Sequence, residues 1–78
     1  MESVGVDCRF SQDGAVQVKQ VQMNGRWLPV GQGRQWVDEN GRHVLIMLPG
    51  SEVRELVLQP GTLRWGFVSV RGGGVTAV

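Results

Sequence analysis

The sequence predicts an all-β domain, and three observations carry that expectation. Fourteen of the 78 residues are Val and only two are Ala, a balance that suits pleated surfaces and disfavours helices. Twelve Gly and three Pro punctuate the chain, and they sit where turns are expected: Ser11-Gln12-Asp13-Gly14, Asn24-Gly25, Asn40-Gly41, Pro49-Gly50 and Pro60-Gly61. Between these turns lie segments of strand length, and no window sustains a 3.6-residue apolar repeat. The spacing describes a meander of about six to seven short antiparallel strands.

Taken in order, the expected strands are 4–10, 15–23, 26–30, 34–38, 42–48, 53–59 and 63–70, with Gly31-Gln32-Gly33 breaking or kinking the chain between the third and fourth. The second strand contains a change of parity. Val16 and Val18 alternate in one phase, Val21 and Met23 in the other, so an extra residue near Lys19 or Gln20, a β-bulge, is needed to keep both pairs on one face. Two-residue loops fix register. Asn24-Gly25 sets Met23 against Arg26, Gln22 against Trp27 and Val21 against Leu28. Asn40-Gly41, read the same way, sets Trp36 against Leu45. A four-residue loop from Pro49 to Glu52 sets Leu45 against Leu56, and Pro60-Gly61 sets Leu56 against Trp65. The expected core is then Trp36, Leu45, Met47, Leu56, Leu58, Leu63, Trp65 and Phe67. The opposite face carries Val44, Ile46, Val53, Val57 and Val68 and is too apolar to be fully wet. A sheet covered on both faces implies closure into a small barrel, SH3-like or OB-like in size. Residues 1–70 form one domain in this reading, and 71–78, opening with a glycine run, form a flexible tail.

Composition removes several classes. The chain is 41% apolar with a net charge of +1, unlike a disordered segment. Its longest apolar run, Val44 to Leu48, is far short of the roughly 20 residues that span a bilayer as helix. Met1 is followed by Glu2 and Ser3 without the basic and apolar regions of a secretion signal. Cys8 is the sole cysteine. It reads as a small apolar residue of the first strand, and a lone cysteine suits a reducing, cytoplasmic setting.

Catalytic chemistry is sparse. One His, one Cys and no Tyr leave little for general acid–base or nucleophilic work. Nothing in the sequence brings Cys8 and His43 together. Asp38-Glu39 reads as turn chemistry, and His43 is expected opposite Asp38 in a structural, charge-assisted bond. Gly31-Gln32-Gly33 lacks the third glycine and following helix of a dinucleotide loop. No metal spacing is present. The chain is read as no enzyme and as needing no cofactor.

What remains is a binding chemistry. Seven of eight cations are Arg, several beside Trp: Arg26-Trp27, Arg34-Gln35-Trp36 and Arg64-Trp65. Arg and Trp dominate interface hot spots and also stacking platforms for single-stranded nucleic acid. The register places Trp27 on a face with Gln20 and Gln22, either covered by the first strand or exposed as a contact with Arg26 and Arg34 nearby. Trp27, Arg26, Arg34 and Arg64 are therefore the candidate binding residues. The expected role is protein binding or self-association by a small β-barrel module. A single-stranded nucleic-acid-binding barrel is the alternative, which the near-zero net charge disfavours. No membrane partner is expected.

Overall fold

The structure, a computed structural model, describes residues 2–68. It is all-β, with strands β1 (Glu2–Ser3), β2 (Gly5–Phe10), β3 (Val16–Met23), β4 (Arg26–Pro29), β5 (Gly31–Asp38), β6 (Gly41–Leu48), β7 (Glu52–Leu58) and β8 (Trp65–Phe67). They form a three-stranded sheet, β2-β3-β4, and a five-stranded sheet, β1-β8-β7-β6-β5. Every pairing is antiparallel. Two corners join the sheets. β1 runs into β2 through Val4, whose N–H donates to the Trp65 carbonyl at 3.0 Å, and β4 runs into β5 through Val30, whose N–H donates to the Lys19 carbonyl at 3.2 Å. Pairings and corners together wrap the two sheets around one interior in a barrel-like arrangement. The expected tail, 71–78, lies outside the described residues.

Both sheets contribute to the interior. Val16, Val18 and Val21 come from β3, while Val44, Ile46 and Leu48 of β6, Leu56 of β7 and Phe67 of β8 face them. Burying side chains of this size stabilises by roughly 1.5–3 kcal/mol each before entropy is counted. Three β3 valines share one interior because Asp7 pairs Gln20 while Cys8 pairs Val18, leaving Lys19 as the extra residue. The bulge lies where the parity change requires it. Cys8 packs half-buried against this core.

Turn chemistry explains where the expected core was displaced. Asn24 and Gly25 both have positive φ, 53° and 76°, as a type I′ hairpin demands, and the β3–β4 register is the expected one. The next hairpin is different. Asp38 pairs Gly41 across Glu39-Asn40, and Gly41, at φ 127°, re-enters the strand. Trp36 therefore faces His43 rather than Leu45. The β6–β7 turn slips too, setting Leu45 against Glu55, with Gly50 and Ser51 at positive φ. A one-residue slip turns a strand over. Val44, Ile46 and Leu48 consequently fill the interior. Met47 is 48% exposed, and Leu45 and Trp36 are half-buried on the outer face. The last turn is longer than expected, so Leu58 pairs Trp65 and Leu63 is left outside at 71% exposure. Leu58 and Trp65 are half-buried; Leu56 and Phe67 are core as expected. Gly31-Gln32-Gly33 does not break the chain but belongs to β5, with the register shifting between Gln32 and Gln35.

The shift aims both glutamines at β3. Past the reach of β4, which pairs only Gln20 to Met23, and past the Val30 N–H on the Lys19 carbonyl, no described strand pairs β3 on that side. Gln32 Oε1 accepts the Val18 N–H at 2.6 Å and Gln35 Oε1 the Val16 N–H at 3.0 Å. Their amide nitrogens both donate to the Val16 carbonyl, at 2.9 and 2.8 Å. Side chains complete the ladder where strands diverge.

Gly41 is the position where the turn tolerates no side chain. A Cβ there would run into the Leu58 carbonyl oxygen, and φ lies in the region L-residues avoid. Gly41→Ala is expected to lose about 2–4 kcal/mol in urea unfolding. Gly31→Ala, with nothing within 4 Å of the added methyl, should stay within about 0.5 kcal/mol. Equal losses would contradict the assigned turn.

Candidate functional site

Three outer features carry chemistry. The first surrounds Trp27. On the outside of the three-stranded sheet, Trp27 pairs Gln22, which pairs Gly5. A Cβ on Gly5 would sit 3.5 Å from the far edge of the Trp27 ring. That is an ordinary contact; the tight neighbour is Gln22, 3.0–3.1 Å away, and Trp27 is 47% exposed. Gly5 also lines a shallow open hollow with Ser3, Val4, Leu63, Arg64 and Trp65. Leu63 is held at φ 57°, an uncommon conformation for a leucine. The loop that holds it there is self-braced. Leu63 N–H donates to the Gln59 carbonyl at 2.8 Å and Gln59 N–H to the Arg64 carbonyl at 2.9 Å. Thr62 Oγ1 accepts the Arg64 N–H at 3.3 Å. A braced loop thus displays Leu63 and Arg64 at the hollow that Gly5 lines.

Of the four residues singled out in the sequence, Trp27 reaches Gly5 with the far edge of its ring, and Arg64 shares the hollow that Gly5 lines. Arg26 is exposed at the β3–β4 turn. Arg34 lies on β5, its guanidinium 5.2 Å from the centre of the Trp36 ring. Sequence reasoning missed Leu63 as a surface residue, since only the length of the 59–64 loop decides its side. Gly5, between two valines in a strand, was the available indication of a close approach.

The second feature is a charge clamp on the outer face of β5, β6 and β7. His43 is 7% exposed and stacks on Trp36, with ring centres 5.1 Å apart and planes within 1°. Its Nε2 lies 2.8 Å from Asp38 Oδ1 and its Nδ1 2.7 Å from Glu55 Oε2. Carboxylates only accept, so two of them on one ring call for both nitrogens protonated. Burial pulls the His43 pKa down, but the bonds to Asp38 and Glu55, with their charges, outweigh it and hold it above the ordinary value. His43 in turn holds the Asp38 carboxyl below its ordinary value, helped by the Asn40 N–H at 2.8 Å. The expected His43–Asp38 contact is present, and Glu55 joins it from β7. Cys8 lies in neither group. Burial, then the neighbouring Asp7, push its thiol up, the opposite of nucleophile activation.

The third feature is an apolar cleft at Gly31, Gly33, Leu45, Met47 and Val53, opened by the two glycines. Three further charges make structural contacts. Arg54 lies over the Phe67 ring at 4.2 Å, and Arg42 donates to Gln35 Oε1 at 2.7 Å. Asp13 accepts from the Ser11 hydroxyl and the Ala15 N–H, which lower its pKa. Among the described residues, no three His, Cys, Asp or Glu side chains group as metal ligands, and no helix is long and apolar enough to cross a membrane.

No protein-family model, no curated protein and no solved structure matches this chain.

The clamp gives stability a definite pH dependence. A raised histidine pKa adds stability in full below about 6.5, the unfolded value, and loses it as pH climbs through the folded value. The lowered Asp38 pKa acts at the other end, its share vanishing as pH falls through the folded carboxyl value. Stability should therefore fall as pH rises above about 6.5, through the raised His43 value. His43→Gln should flatten that slope. As the sole histidine, His43 gives an unambiguous NMR titration, and a midpoint at or below that of free histidine would contradict the clamp.

Proposed function

We propose that this chain is a non-catalytic, cytoplasmic interaction module. It binds a protein surface through Trp27, with Leu63 and Arg64 beside it and Arg26 at the rim. The observation that supports this reading most is the half-exposed Trp27 lying against Gly5 on a rigid sheet. An aromatic so placed buries a large area on docking with little side-chain entropy to lose, and tryptophan and arginine are the residues that most often dominate such contacts. The hollow beside it is open rather than enclosed, which suits a protruding side chain better than a small ligand. Arg34, seated on Trp36, contributes at most from a separate face. The near-zero net charge favours a protein partner over a nucleic acid.

Quantitative comparison of proteins retained by wild-type and Trp27→Ala chains tests the proposal. A partner retained by the wild type should be held at least about 30-fold more weakly by the variant, corresponding to ~2 kcal/mol. The melting temperature should be unchanged. Leu63→Ala should weaken the same partner, and Val37→Ala, a control at another exposed valine, should not. A large fall in melting temperature without lost binding would make Trp27 a stability residue. Trp27-dependent, steeply salt-sensitive capture of labelled single-stranded DNA or RNA would replace the protein reading with the nucleic-acid one.

A further inference from the structure

We propose that the open edge of β2 is a self-association surface, on which a second copy of this chain lays its own β2 antiparallel and centred on Cys8. This surface is separate from the one around Trp27. Among the described residues, Val6 to Phe10 pair only with β3, while β8 meets the same chain segment only at Glu2, Ser3 and Val4. The direction of the backbone groups follows from the opposite edge of β3. Val16 and Val18 turn their N–H groups away from β2, toward Gln35 and Gln32. In an antiparallel ladder, residues facing each other either both point inward or both point away. Phe10 and Cys8, which face Val16 and Val18, therefore turn their N–H and C=O groups to the open side, and Val6 does so by alternation. Three residues present unpaired donors and acceptors along one edge.

Charge selects both the occupant and the register. Asp7 and Arg9 flank Cys8 on the outer face, both exposed. Charges on an edge ordinarily repel an added strand. Here the signs are opposite and two residues apart, so an identical antiparallel strand is complementary. Centred on Cys8, it sets Asp7 against Arg9 of the second copy and Arg9 against its Asp7, with Val6 facing Phe10 at both ends. Phe10, 52% exposed, gains cover. In the same register Val6, Cys8 and Phe10 all meet outward-pointing partners, so every free group is paired. Sliding by one residue to centre on Asp7 or on Arg9 puts like charges face to face, which is unfavourable. The contact is isologous and closes as a two-fold dimer. It joins two three-stranded sheets into one of six and places both Trp27 side chains on the same outer surface.

Sedimentation of the full chain across a concentration series tests this. The wild type should show a monomer–dimer equilibrium. Asp7→Arg and Arg9→Asp should each raise the dissociation constant at least tenfold, and the double variant, which restores opposite signs across the pair, should return to within about threefold of wild type. Trp27→Ala should leave the dimer intact. In the unaltered chain, amide exchange at Val6, Cys8 and Phe10 should slow as concentration rises, while Asp7 and Arg9 amides, already bonded to β3, should not respond. A monomer at all concentrations overturns the proposal. So does a dimer indifferent to both charge reversals, or one abolished by Trp27→Ala.

Discussion

Two glutamine side chains standing in for a missing strand are the contact on which this barrel depends. β4 turns away from β3 at Val30, where the chain must change sheets, and that departure exposes the backbone of Val16 and Val18 inside a closing wall. A buried donor or acceptor left unpaired costs about 1–3 kcal/mol, a large share of the stability available to a chain of 78 residues. Gln32 and Gln35 satisfy the Val16 and Val18 N–H groups and the Val16 carbonyl. Arg42 completes Gln35 by donating to its Oε1. The two valines can then face Val44 and Ile46 across one interior, and neither sheet needs a further layer to cover its apolar side.

That constraint also bears on what the sequence revealed. Local turn chemistry was legible where a dipeptide admits one geometry: Asn24-Gly25 placed β3 and β4 in register, and the parity of Val16, Val18, Val21 and Met23 called for a bulge near Lys19 or Gln20, where Lys19 is the extra residue. Asn40-Gly41 looks identical in sequence, yet Gly41 is used after the turn because it must pass the Leu58 carbonyl, a neighbour from β7 that no local pattern discloses. That shift moves the partner of Trp36 by two residues and keeps it on one face with Leu45; the one-residue slip at the β6–β7 turn, which sets Leu45 against Glu55, exchanged Leu45 and Met47 for Val44 and Ile46. The inward role of Gln32 and Gln35 was invisible for the same reason. A glutamine among glycines reads as solvated until the opposing edge that needs it is known.

The candidate surfaces show a similar division. Trp27 opposite Gln22 could be placed from the hairpin alone, and the His43–Asp38 contact from its neighbouring turn. Glu55 and Leu63 depend on β7 and the long 59–64 loop, so their places were set by tertiary pairing. The outer face that results is chemically divided. A charged, stacked clamp ties β5, β6 and β7 together, whereas the Trp27 side sets a half-exposed tryptophan beside Gln22. Opposite the stitched edge of β3, Val6, Cys8 and Phe10 of β2 have no strand partner on their outer side among the described residues. The protein closes one edge with glutamines and leaves the other available.

Native-state amide hydrogen exchange at Val16 and Val18 tests the glutamine closure most directly. If Gln32 and Gln35 hold these N–H groups as a strand would, both should be protected as strongly as the Val21 amide, which β4 pairs in the ordinary way, and should exchange only with global unfolding. Exchange at Val16 and Val18 at the rate of an open strand edge, while Val21 remains protected, would show that the side chains do not close the barrel.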